Sequence, residues 1–68
     1  MEQETEKIIE FLRKMRIEKK ISVLNLATSV GISHSHLYYI ESKRVIPSVD
    51  VVVKIAKMLE VSLSSIFE

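Results

Sequence analysis

The stretch VLNLATSVGISHSHLYYIES, residues 23–42, contains two helical patterns on either side of the only glycine in the chain. Apolar residues recur three or four positions apart in each half, so they fall on one face of a helix. They are Leu26 and Val30 in the first half, and Leu37 and Ile40 in the second. Gly31 can adopt a left-handed backbone at little cost, which ends one helix and turns the chain.

Small residues around Gly31 agree with this interpretation. Ser33 precedes the second pattern, where its hydroxyl can cap the first turn of a helix. Ala27 is small at a position where two steeply crossing helices must approach closely. The stretch therefore predicts a helix-turn-helix, whose second helix would be the one that reads DNA.

The stretch and its surroundings resemble the phage-repressor-like, or Xre-type (Cro/cI), helix-turn-helix DNA-binding domain. The resemblance rests on S-x-x-x-L-A at residues 22–27, V-G-I-S at 30–33, I-E at 40–41 and P-S at 47–48. It extends over about residues 8–67 and is specific for the family, although not for a target sequence. It implies an all-α domain of five helices that binds duplex DNA.

Length and composition indicate a single small domain, residues 1–68. A chain this short buries only about 60% of its unfolded surface, so we expect modest stability. The absence of cysteine excludes disulfides, zinc fingers and thiol chemistry. Nothing in the sequence resembles a signal peptide, and no apolar run approaches the ~20 residues of a membrane span. We therefore expect a cytoplasmic protein without a membrane partner.

The net charge of +1 is unevenly distributed. Residues 13–44 carry seven Lys or Arg against two Glu, a net charge of +5. Residues 1–12 carry −3 and residues 45–68 carry −1. Positive charge therefore accumulates around the helix-turn-helix, where a phosphate footprint would lie. A solvated charged surface without function is the alternative.

Periodicity and capping residues predict five helices, at about residues 4–19, 23–29, 34–42, 49–60 and 63–67. The last four each follow a serine that can cap them: Ser22, Ser33, Ser48 and Ser62. The predicted buried stripe of the first helix consists of Ile8, Leu12 and Met15, and that of the fourth of Val49, Val52, Ala56 and Leu59. The valines at 51–53 would also suit a strand, but a lone strand has no partner.

Three positions depart from the family pattern. Lys20 and Lys43 stand where the family usually has glycine, and Val23 stands where it commonly has a glutamine that holds a phosphate. A left-handed lysine costs about 1 kcal/mol relative to glycine. We therefore expect the turn at Lys20 to have a different shape.

Chemistry other than binding has little support in the sequence. His34 and His36 are two residues apart, so on a helix they point about 200° apart and cannot chelate one metal ion. Ser33 or Ser35 beside His36 lacks a third group fixed by spacing, as a catalytic triad would need. We expect no enzyme activity, no metal, no cofactor and no small-molecule effector.

The resemblance implies two sets of DNA contacts. Residues on the reading helix would meet base edges in the major groove: Ser33, His34, Ser35, His36 and Tyr39. Two solvated histidines at a helix start are the alternative for His34 and His36. Residues at the start of the second helix and after the third would contact phosphates: Ser22, Val23, Asn25, Lys43 and Arg44.

Two further features concern the assembly of the domain. Arg16 and Glu41 match a family pair that ties the first helix to the end of the reading helix, unless each is an unpaired surface charge. The resemblance also implies a homodimer through the C-terminal helix. Its apolar candidates are Leu63, Ile66 and Phe67, unless these fold back onto the first and fourth helices.

The sequence as a whole predicts a sequence-specific transcriptional regulator of duplex DNA. A small repressor or a restriction–modification controller, acting as a homodimer on an inverted repeat, fits this pattern. The alternative is a protein-interaction or antitoxin-like module of the same fold, with weak or lost DNA binding. Val23 and the absence of arginine from the reading helix favour the alternative, and the basic segment 13–44 opposes it.

Overall fold

The computed structural model describes residues 2–67, except the side chain of Phe67, and shows four α-helices followed by a 3₁₀ helix. The α-helices are α1 (Gln3–Glu18), α2 (Val23–Val30), α3 (His34–Glu41) and α4 (Val49–Leu59), and the 3₁₀ helix is Leu63–Phe67. Each predicted α-helical boundary lies within one residue of the observed one. None of the helices in residues 2–67 has the length and apolar character needed to cross a bilayer.

The predicted fifth helix is a 3₁₀ helix, so the α-helices of the described chain number four and not five. The backbone N–H of Ser65 donates to the carbonyl of Ser62, three residues earlier, at 3.2 Å. Five residues are too few to offset the cost of α-helix nucleation, whereas short 3₁₀ pieces are common. The hydroxyl of Ser62, predicted to be a cap, instead lies 2.7 Å from the Ser64 hydroxyl.

Serine caps begin the three helices that follow α1, as predicted. The side-chain oxygens of Ser22, Ser33 and Ser48 accept from the backbone N–H three residues later, at 3.0, 3.0 and 3.1 Å. Each of these bonds satisfies a backbone donor that has no partner within the helix. The starts of α2, α3 and α4 are therefore fixed by local sequence.

A left-handed residue follows the end of every α-helix, and only one of the four is glycine. Lys20, Gly31, Lys43 and Glu60 have φ of 59°, 87°, 66° and 57°. The turn at Lys20 is thus not reshaped, contrary to the sequence-based expectation. Each turn is closed by paired backbone hydrogen bonds of the Schellman type, such as the 3.0 Å bond from Ile32 N–H to Ala27 O.

The core lies where the four α-helices meet. α2 packs against both α3 and α4, and α1 contacts α3, α4 and the 3₁₀ helix. Among residues 2–66, whose burial is described, ten apolar residues are buried: Ile9, Leu12, Leu26, Ala27, Val30, Leu37, Ile40, Ile55, Ala56 and Leu59. Burial of Leu37 and Ile40 holds one face of α3 against the domain and leaves its other face to solvent.

Two predicted stripes are confirmed only in part: Leu12, Ala56 and Leu59 are buried, whereas other members are not. In α1, Leu12 is buried as predicted, but Ile9 is the second buried residue, and Ile8 and Met15 are half-buried. In α4, Val49 is 81% exposed, because it begins the helix beyond the part that Ile55, Ala56 and Leu59 bury in the core. Helical periodicity identifies an apolar face, but the neighbouring helices determine which of its residues they cover.

We predict that Lys20→Gly raises the free energy of unfolding by about 1 kcal/mol, because glycine avoids the steric cost of a left-handed side chain. Gly31→Ala is the matched control and should lower the free energy of unfolding. A Cβ at Gly31 would meet no atom within 4 Å, so only the backbone conformation would be strained. Urea denaturation of both variants measures the two effects. An unchanged midpoint for Lys20→Gly would show that the left-handed backbone at Lys20 is not strained.

Candidate nucleic-acid interface

All the residues predicted to meet bases are exposed, either in α3 or at its N-terminal cap. Ser33, at the cap, and four helix residues are exposed: His34, Ser35, His36 and Tyr39. The hydroxyl of Ser33 accepts from His36 N–H at 3.0 Å, so its own proton remains available for donation. Hydroxyls, imidazoles and a phenol on one exposed helix provide hydrogen-bonding groups of the kind that base edges pair with.

His34 and His36 lie in the first turn of α3 and are both exposed. No three His, Cys, Asp or Glu residues in the described part of the chain are grouped as metal ligands. Both imidazoles are therefore accessible to solvent at the start of the helix.

The C-terminal end of α3 brings two tyrosines and an arginine together. The rings of Tyr38 and Tyr39 pack edge to face, with centroids 5.8 Å apart. The guanidinium carbon of Arg44 lies 5.9 Å from the centroid of the Tyr39 ring, within the range of a cation–π interaction. Tyr38 is 52% exposed. The predicted phosphate ligand Arg44 is thus held next to the predicted base contact Tyr39.

At the start of α2, the predicted phosphate contacts differ in accessibility. Ser22 and Asn25 are exposed, and the Ser22 hydroxyl accepts from the Asn25 N–H. Val23 is half-buried and packs against the core. Its side chain has no polar atom, so only the backbone of Val23 is available for a phosphate.

Lys43 is engaged in an ion pair that sequence reasoning did not find. Its Nζ lies 2.7 Å from a carboxylate oxygen of Glu10 in α1, and both side chains are substantially exposed. The hydrogen bond from Lys43 lowers the pKa of Glu10, and the same bond raises the pKa of Lys43. Since the partners are 33 positions apart in sequence, no local pattern could have indicated the pair.

Arg16 and Glu41 form the predicted ion pair. Arg16 Nε and Nη2 donate to the two oxygens of Glu41 at 2.7 and 2.9 Å, and Nη1 donates to the Ile21 carbonyl at 2.7 Å. The side chains are only 12% and 11% exposed. One guanidinium therefore joins α1, the turn before α2 and the end of α3.

A family model described as "Helix-turn-helix" matches residues 12–66, which include both helices of the motif. Neither the curated proteins nor the solved structures that were compared with the chain include a match.

We predict that Arg16→Ala lowers the free energy of unfolding by more than about 1 kcal/mol, because it leaves the Glu41 carboxylate largely buried without its partner. Lys54→Ala is the control, since it breaks the exposed Lys54–Asp50 pair of 3.1 Å and should cost less than about 0.5 kcal/mol. A double-mutant cycle with Glu41→Ala measures the coupling by urea denaturation. Additive effects of the two substitutions would rule out an energetic role for the pair.

Proposed function

Because the chain belongs to the Xre-type (Cro/cI-like) helix-turn-helix family of DNA-binding regulators, we propose that it is a sequence-specific repressor or restriction–modification controller. It would act as a homodimer on an inverted repeat in duplex DNA. The observation that carries the proposal is the exposed polar face of α3, fixed to the domain by the buried Leu37 and Ile40. Such a helix fits the width of the major groove.

Within this proposal, the DNA contacts divide into two classes. Base edges would be read by Ser33, His34, Ser35, His36 and Tyr39. Phosphates would be bound by the side chains of Ser22, Asn25, Lys43 and Arg44, and by backbone N–H groups near Val23. The net charge of +5 over residues 13–44 supports this assignment, because phosphate contacts supply most of the affinity that does not depend on sequence.

Three features of the site favour a second function, that of a protein-interaction module. The charge of Lys43 is balanced by Glu10, Val23 cannot hold a phosphate with its side chain, and α3 contains no arginine. A protein-interaction or antitoxin-like module of the same fold would have these features. Selection of bound sequences from random duplex DNA separates the two functions, since an interaction module would enrich no sequence.

The homodimer requires an apolar surface that is free in the monomer. Leu63 is half-buried and packs against the core, so folding back accounts for part of the predicted interface. Ile66 is also half-buried, and the side chain of Phe67 lies outside the described residues. The C-terminal segment therefore needs a larger neighbouring surface if it is to form a stable dimer.

An apolar surface of this kind adjoins Leu63. Ile46 and Val49 are 69% and 81% exposed, and Val53 is also exposed. These three residues and Leu63 line one groove between the start of α4, α1 and the 3₁₀ helix. Contiguous patches of exposed apolar side chains mark interaction sites. We therefore extend the proposed interface from Leu63, Ile66 and Phe67 to this α4 groove.

We predict that His36→Ala and Tyr39→Ala each weaken binding to the selected site by roughly 1–3 kcal/mol and binding to random DNA by little, because base contacts carry specificity. Arg44→Ala should weaken binding to all sequences similarly, as expected for a phosphate ligand. Fluorescence anisotropy titrations on both DNAs make the comparison. Equal losses on selected and random DNA for His36→Ala and Tyr39→Ala would exclude direct readout by these residues.

We predict that Val49→Lys abolishes a dimer of this chain, because it places charge in the α4 groove. Met58→Lys is the control: Met58 is 47% exposed and lies about 180° around the same helix. Sedimentation equilibrium at micromolar concentration should show a doubled mass for the wild type and Met58→Lys only. A dimer should also select an inverted repeat with half-sites about 34 Å apart. A monomeric wild type on an asymmetric site would contradict the proposal.

A further inference from the structure

An open cleft of about 440 Å³ separates α1 from the C-terminal end of α3. Val23, the first residue of α2, and Ser42, which follows α3, both line it, so the cleft lies beside the helix-turn-helix. Arg13 of α1 also lines the cleft, although it is not among the residues that the sequence implicates in binding.

We infer that this cleft binds one phosphate of the DNA backbone and that Arg13 is its principal ligand. The inference rests on the proposed DNA-binding function and adds a contact from α1, outside the helix-turn-helix.

The charge balance of the cleft identifies Arg13 as the available cation. Its lining includes three basic and two acidic residues. Arg16 is bound to Glu41, and Lys43 is paired with Glu10. Within residues 2–67, Arg13 is exposed and has no carboxylate within ion-pair distance. The cleft therefore has one uncompensated positive charge.

The chemistry of Arg13 suits a phosphodiester. A guanidinium presents parallel N–H donors that match two oxygens of one phosphate, and it remains charged at all accessible pH values. Val23, which lines the same cleft, contributes no side-chain donor there. The donors missing at the start of α2 would be supplied by Arg13 from α1.

Glu10 sets a limit on the affinity of the cleft. Its carboxylate holds Lys43 at 2.7 Å and repels an incoming phosphate. Because an exposed ion pair is worth little, Lys43 can exchange Glu10 for the phosphate at small cost. Removal of the Glu10 charge should therefore strengthen DNA binding.

Arg13→Gln tests the inference, with Lys14→Gln as its matched control. Lys14 is the next residue, is also exposed and loses the same charge, but it does not line the cleft. Anisotropy titrations over a range of salt give the slope of log K against log salt on selected duplex DNA. Arg13→Gln should reduce the magnitude of this negative slope by about 0.9. It should also reduce the affinity by roughly fivefold to tenfold at about 0.1 M salt. Lys14→Gln should leave the slope unchanged.

Two further variants test the geometry. Glu10→Gln should raise the affinity severalfold, whereas Glu4→Gln, near the exposed start of α1, should have a smaller effect. Val23→Gln added to Arg13→Gln should restore part of the lost affinity, because a glutamine at the mouth of the cleft supplies a donor.

The outcomes separate the inference from the proposed function. If the affinity of the wild type for DNA falls steeply with salt concentration but Arg13→Gln and Lys14→Gln have equal slopes, the inferred phosphate site is wrong and the proposed function stands. If the wild type has no salt-dependent affinity for duplex DNA, the proposed function fails, and the inference fails with it. Circular dichroism of each variant establishes that the fold is retained.

Discussion

The guanidinium of Arg16 forms hydrogen bonds to two segments that are far apart in sequence, and the placement of α3 depends on both. Its bonds to Glu41 fix the end of α3, and its bond to the Ile21 carbonyl fixes the turn that leads into α2. Leu37 and Ile40 bury one face of α3 in the core. A polar clamp at one end and apolar burial along one side leave α3 with a single orientation, which exposes the same polar face to any ligand.

The features predicted correctly from the sequence are those that neighbouring residues determine. Serines at positions 22, 33 and 48 cap helices because their hydroxyls reach a backbone N–H three residues away. Gly31 ends α2 because its backbone accepts a left-handed conformation. The starts of α2, α3 and α4 and the end of α2 follow from these residues. The Arg16–Glu41 pair spans 25 positions, and it was predicted only through the family resemblance.

The features that sequence reasoning missed depend on how the helices pack. Val49 has the spacing of a core residue. It is the first residue of α4, however, and the other helices do not cover that end of α4, so its side chain is exposed. The Glu10–Lys43 pair forms only when α1 crosses the end of α3. All the predicted base contacts are exposed, yet exposure does not identify the bases they prefer. The sequence thus predicts which residues form the candidate site, and packing determines which of their charges are already paired.

The left-handed lysines and glutamate bear on how long a molecule of this chain survives in a cell. Lys20, Lys43 and Glu60 each adopt a conformation that costs about 1 kcal/mol relative to glycine, or about 3 kcal/mol together. That sum raises the unfolded population roughly a hundredfold, in a domain whose size permits only modest stability. Proteases act on transiently open chains at a rate that follows this population. A chain with these three turns would therefore be degraded faster than the same chain with glycine at positions 20, 43 and 60.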